Sequence, residues 1–309
     1  MSRWTRLSAA GAGIAAGLVL TGALARNRPF VPEHLGDGEF IDTPEGRVYH
    51  RAVGQGPAVV MLPGFAGNSF TWQDVTLTLS KRHLVHWIDP LGYGLSDKPR
   101  GADFGAAAQV RRLATLVPSI APGRIAVVAN SAGCQTAVAL AAEQPDLVAG
   151  LVLVDPFLTA GWFVRNGVAL IRRFPRATGL VTRNLWRNRW FGWIAASFGH
   201  RHARDVVAES VRRHALTLRT PGFSDAVPAL LAGIDPSACD GYIARVTCPT
   251  LLIWGSGDRT ASPVLARRLA ARFARAEFVL MDDVGHLPHE EQPDRLAALI
   301  GPFLASLSL

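Results

Sequence analysis

One stretch constrains this chain more than any other: Ile125-Ala126-Val127-Val128-Ala129-Asn130-Ser131-Ala132-Gly133-Cys134. An unbroken apolar run stops on a serine set among small residues. Thr136-Ala137-Val138-Ala139-Leu140 then continues as a helix of small residues, so a buried strand is turned sharply into a helix. A turn this tight holds one side chain out at its tip. It leaves no room for large side chains two positions before or after, where Ala129 and Gly133 stand. The usual spacing of such a turn is G-x-S-x-G, and Ala129 takes the place of the first glycine. The same residues also read as a serine N-cap following a core strand, so the rest of the chain has to decide.

The flanking sequence supplies more strands of the same kind. Glu39–Asp42 and Arg47–Val53, joined by Thr43-Pro44-Glu45-Gly46, predict an antiparallel hairpin at one edge of the sheet. Ala58–Leu62, His83–Asp89, Gly150–Asp155, Pro249–Trp254 and Glu277–Met281 are short apolar runs alternating with helical stretches near 106–116, at 263–273 and from Asp294. Strands apolar on both faces and separated by helices predict a mostly parallel, doubly wound α/β sheet of about eight strands. Asp89 reads as a structural carboxylate tied to backbone amides. Cys134, Cys239 and Cys248 fit no metal spacing and imply no disulfide scaffold, Cys134 reading as a small buried filler.

Two regions depart from this pattern. Leu7 to Ala25 runs nineteen residues without a charge, behind Arg3 and Arg6 and before Arg26 and Arg28. Residues 1–28 therefore read as a signal peptide or a membrane anchor, followed by a linker at 29–38 and a globular domain at 39–309. Membrane association or export is expected over a cytoplasmic location. From about 159 to 239 no buried strand is predicted, and the region reads as a helical cap inserted into the domain. Between 160 and 220 it carries twelve arginines against only Asp205 and Glu209, although the whole chain has a net charge of only +8. Trp162, Phe163, Trp186, Trp190, Phe191, Trp193 and Phe198 are interleaved with them. Such a surface reads as a lid over an apolar pocket, as a contact for anionic lipid, or as a solvated cap packed on the core. Nucleic-acid binding is not expected, because no recognised module accompanies the charge.

Three side chains leave the carboxyl ends of predicted parallel strands, the rim where ligands bind in such sheets: Ser131, Asp258 and His286. A serine hydroxyl is a weak nucleophile at neutral pH and needs a base near pKa ~6.5, which imidazole offers. A buried carboxylate then fixes the imidazole's tautomer. His289 competes for the base and Asp155 for the acid. His286 is preferred because it follows Gly285 directly after the last strand, and Asp258 because Asp155-Pro156 reads as a strand end leading into the cap. The backbone N–H groups of Phe65, in the loop Pro63-Gly64-Phe65-Ala66-Gly67, and of Ala132 are the candidate oxyanion donors.

These loops, with Asp89 to Pro99, Trp254-Gly255-Ser256-Gly257-Asp258 and Gly285-His286 in the order Ser, Asp, His, resemble the α/β-hydrolase fold family from about Glu39 to the C-terminus, the cap excepted. Pro63 stands where the family usually has histidine. The resemblance implies a serine hydrolase of carboxylic esters with apolar acyl groups, needing no metal and no organic cofactor. Its expected partners are a small-molecule ester or acyl substrate and a membrane surface touched by the N-terminus and the cap. Thioester or carbon–carbon hydrolysis on the same residues stays open, as does a membrane-tethered binding protein without activity. A serine at the elbow disfavours the haloalkane dehalogenase and epoxide hydrolase branches, which use an aspartate there.

Overall fold

The computed structural model describes residues 38–159, 220–260 and 263–309, together with 169–171, 173, 174, 177, 180, 181, 199–201, 210, 213, 214 and 217. The apolar segment 1–28, the linker up to residue 37 and the seven aromatic residues of the insertion named above lie outside the described residues. Among the described residues, no helix is long and apolar enough to cross a membrane.

Eight strands form one sheet: β1 (Glu39–Thr43), β2 (Gly46–Val53), β3 (Ala58–Leu62), β4 (Leu84–Asp89), β5 (Ile125–Asn130), β6 (Val148–Val154), β7 (Thr250–Gly255) and β8 (Ala276–Met281). Their spatial order is β1-β2-β4-β3-β5-β6-β7-β8. The β1–β2 hairpin and the β2–β4 pairing are antiparallel, and every later pairing is parallel. Helices α1 (Gln73–Leu79), α2 (Ala106–Ile120), α3 (Gly133–Glu143), α4 (Phe223–Gly233), α5 (Cys239–Ile243), α6 (Pro263–Ala270), α7 (Pro288–Glu291) and α8 (Pro293–Ala305) fill the connections.

The continuous apolar strands follow from burial on both faces. Val127 and Ala129 of β5 join Leu62, Leu151 and Leu252 in one core layer, beneath α2 and α3. Ala126 and Val128, pointing the other way, join Met61, Val152, Ile253 and α8's Leu296 and Ile300 in the second. Strand alternation thus feeds two cores rather than one core and solvent. Cys134 is free and buried, as the sequence predicts, and so are Cys239 and Cys248; Asp89 accepts hydrogen bonds from the Ser69 and Leu95 amides, also as predicted.

The order reverses direction between β3 and β5, which lie side by side although β4 falls between them in sequence. At such a switch point the loops leaving neighbouring strands diverge and open a crevice above the carboxyl ends. The loop after β3 and the elbow after β5 flank that crevice. Helices α4 and α5 and the described residues 199–217 belong to the long insertion between β6 and β7.

Candidate active site

The elbow after β5 carries the backbone conformation that its sequence requires. Ser131 has φ +50°, a left-handed value that costs a non-glycine residue on the order of 1–2 kcal/mol. The surrounding hydrogen bonds enforce it. The Ser131 amide donates to the Val154 carbonyl at 3.0 Å, and the Ser131 carbonyl accepts from Cys134 and Phe157, each at 3.1 Å. Gly133 is needed for close approach: a Cβ there would sit 2.3 Å from the Pro63 carbonyl oxygen. The loop after β3 is therefore pressed against the elbow, and a Cβ on Gly64 would lie 3.3 Å from Ser131 Cβ.

Ser131, His286 and Asp258 meet. His286 Nε2 lies 2.8 Å from Ser131 Oγ, and His286 Nδ1 lies 2.8 Å from Asp258 Oδ2. A carboxylate only accepts, so Nδ1 carries the hydrogen and Nε2 is left to accept from the serine hydroxyl. Asp258 Oδ1 accepts from the Thr260 amide at 2.6 Å. All three side chains are largely buried, which removes competing water from the relay. Phe65 sits in the loop against the elbow, and Ala132 is the N-cap of α3, a position whose N–H has no acceptor within the helix.

His289 takes no part in this relay. It stacks on Trp72 with ring centroids 4.3 Å apart. Asp155 directly follows β6, the strand end that the sequence predicts. Because β6 lies beside β7, its carboxylate points into the space occupied by Asp258 and His286. One potential ligand atom from each of these three residues lies within 4.8 Å of the others. Such a group is capable of holding a cation, but both ring nitrogens of His286 are already engaged in the bonds to Ser131 and Asp258.

Sequence reasoning missed three supports of the histidine. Asn130 Nδ2 donates to the Val154 carbonyl at 3.1 Å and to the His286 carbonyl at 3.3 Å, pinning the His286 loop to the elbow strand. Glu291 accepts from the Gly285 amide at 2.7 Å and from the Arg201 amide at 3.0 Å, while the His286 amide donates to Gly199 at 2.7 Å. Glu290, nearly buried, lies 3.0 Å from His214 and 3.7 Å from His200. The insertion is thereby fastened to the histidine loop. It is fastened to the loop after β3 as well, through Asn68 to the Arg213 carbonyl and Thr217 Oγ1. No sequence spacing announces these contacts: most partners lie far apart in the chain, and the near pair, Glu291 and Gly285, sits in a loop without periodicity.

Two buried histidines make the fold acid-sensitive. Burial pushes His289 down to about 3, and burial with the neighbouring His50 pushes His86 down to about 4. Burial alone would raise Glu290, but the charge of His214 and contacts with His200 and His214 hold it well below the usual carboxylate range. His86 and His289 are neutral in the folded protein, whereas the unfolded chain binds those protons near pH 6.5. Stability is therefore full above about pH 6.5 and falls as pH drops toward 4. His289→Phe keeps the stack on Trp72 and cannot titrate, so melting temperatures measured across that range should fall less steeply than in the wild type. An equal or steeper fall would contradict this assignment.

Known proteins resemble the chain over most of its length. The sequence model described as "Alpha/beta hydrolase family" matches residues 59–299. Haloalkane dehalogenase 2 of Mycobacterium bovis is 27% identical over 277 residues, covering 85% of this chain and 93% of that protein. Lipase 1 of Psychrobacter immobilis is also 27% identical, over 247 residues that cover 78% of this chain and 75% of the lipase. A thermophilic esterase from Thermogutta terrifontis superposes with a TM-score of 0.73 at 23% identity, over 87% of this chain and 98% of that one, a likeness of fold.

Proposed function

From the premise that this chain belongs to the alpha/beta hydrolase family and is a hydrolase, we propose that it cleaves carboxylic esters with an apolar acyl group through a serine acyl-enzyme. The observation that carries this reading is the unbroken relay Ser131–His286–Asp258, with both links at 2.8 Å. Ser131 Oγ attacks the ester carbonyl carbon while His286 Nε2 takes its proton. The negative charge developing on the carbonyl oxygen is held by the Phe65 and Ala132 amides. His286 returns the proton to the departing alkoxide, leaving an acyl group on Ser131. Water, activated by the same nitrogen, then attacks that ester and restores the hydroxyl, while Asp258 stabilises the imidazolium at each stage.

The nucleophile's chemistry separates this reading from that of the dehalogenase relative. A hydroxyl that displaces halide from a saturated carbon leaves an ether, which offers water no carbonyl to attack and blocks the enzyme after one turnover. Attack on a carbonyl leaves an ester, which water opens. The test is one panel containing p-nitrophenyl esters of increasing acyl length, an acyl thioester and a 1-haloalkane. The expected result is catalytic release of p-nitrophenol with a preference for longer acyl chains over acetate, and no halide. Catalytic halide release without ester turnover would overturn the proposal. So would failure of the folded protein to turn over any ester, which would favour a binding protein that keeps the hydrolase shape.

A further inference from the structure

Asp155 is a buried carboxyl group beside the relay that the proposed reaction leaves without a task. It is fully enclosed and takes a left-handed backbone conformation, φ +45°, directly after β6. One of its oxygens, Oδ1, accepts from the Gly255 amide at 2.9 Å. The other, Oδ2, is buried and finds no donor among the described residues, an arrangement that folded proteins seldom tolerate. What it does face is Asp258. Strands β6 and β7 run in register, with Val154 beside Ile253, so the turns that follow them bring the two carboxyl groups together under His286.

Two carboxylates cannot both stay ionised in such a space. Asp258 has the stronger claim to the charge, since its oxygens accept from the Thr260 amide and the His286 ring. Asp155 accepts one backbone bond and otherwise meets unfavourable neighbours. Burial first and the charge of Asp258 second raise its pKa well above the usual carboxylate range; Glu291 adds to this, and Cys134 is a neighbour on α3. A proton on Oδ2 supplies the missing hydrogen bond, turning two repelling acceptors into a donor and an acceptor.

We propose that Asp155 is a protonated positioning residue, which donates a hydrogen bond from Oδ2 to the Asp258 carboxylate and so holds that carboxylate against His286. The inference rests on the assignment of Ser131, His286 and Asp258 to the reaction. Asp155 keeps its proton throughout the cycle and touches no substrate. By drawing electron density from Asp258, it moderates how strongly that carboxylate stabilises the imidazolium, and hence where the base of the reaction titrates.

Two substitutions separate this role from that of an ionised structural carboxylate. Asp155→Asn keeps an acceptor for Gly255 and replaces the O–H donor by N–H. It should leave kcat/KM for a p-nitrophenyl ester within about 3-fold of wild type and the acidic limb of the pH profile unmoved. Asp155→Leu removes the donor, and if it folds it should move that limb to higher pH. Were Asp155 ionised, Asp155→Asn would instead delete a negative charge beside the imidazole and move the limb to lower pH, by up to roughly one unit. That result would overturn the proposal. Infrared spectroscopy of the wild type at neutral pH supplies a readout that needs no activity: a buried protonated carboxyl stretch, absent from Asp155→Asn. If no ester is turned over, the proposed reaction fails while the infrared band still decides the protonation of Asp155, and absence of the band refutes it.

Discussion

Ser131→Ala is expected to lower kcat for p-nitrophenyl esters on the order of 10⁴-fold or more while leaving the fold intact. The magnitude follows from the way a relay of this kind works as a unit. With the hydroxyl gone, His286 has nothing to deprotonate but water, and only binding and the oxyanion donors still assist the reaction. The substitution removes one atom from a largely buried side chain and breaks only the 2.8 Å bond to His286 Nε2, because the elbow's other bonds are made by backbone atoms. The melting temperature should therefore stay close to that of the wild type. A variant that keeps more than about a tenth of the activity would place the nucleophile elsewhere.

Gly255→Ala should have the largest effect of any single methyl group added near the site. Gly255 ends β7, three residues before Asp258, and packs against the backbone just before His286. A Cβ there would lie 2.1 Å from the Gly285 carbonyl oxygen and 2.6 Å from that of Val284. Both are backbone atoms, so no side chain can swing aside. The strand end and the histidine loop must separate, and the 2.8 Å bond from Asp258 to His286 separates with them. The expected cost is about 3 kcal/mol of stability together with a loss of kcat of at least about 100-fold, read by chemical denaturation and by ester turnover. Gly301→Ala is the matching control. It lies inside α8 with open space around its Cα, and alanine there should stabilise by about 0.5 kcal/mol without touching activity. If the two variants behaved alike, the close packing of Gly255 would not be what aligns acid and base.

What could be read in the sequence and what could not divide along a physical line. The elbow at Ser131 was legible because its constraint is local: a tight strand-to-helix turn demands small residues at fixed offsets, and Ala129 and Gly133 occupy them. The buried strands were legible for the same reason, since burial on both faces writes itself as an apolar run. What Asp155 faces was not legible, because it depends on which strand lies beside β6. The sequence shows a strand end before Pro156, and only the register of β6 against β7 turns that strand end into a neighbour of Asp258. Asn130, Glu290 and Glu291 were invisible for a related reason. Asn130 reaches the His286 carbonyl and Glu290 reaches His214 from distant parts of the chain, Glu291 reaches back to the Gly285 amide within one loop region, and polar residues placed singly in loops carry no periodicity.

The central claim is that Ser131 is a nucleophile activated by His286. The measurement that tests it most directly is covalent labelling of the intact protein with a fluorophosphonate, followed by peptide mapping. One adduct per chain is expected, on the peptide containing Ser131, formed much more slowly in His286→Ala and absent from Ser131→Ala. An adduct on another residue, or no adduct on the folded wild-type protein, would contradict the account.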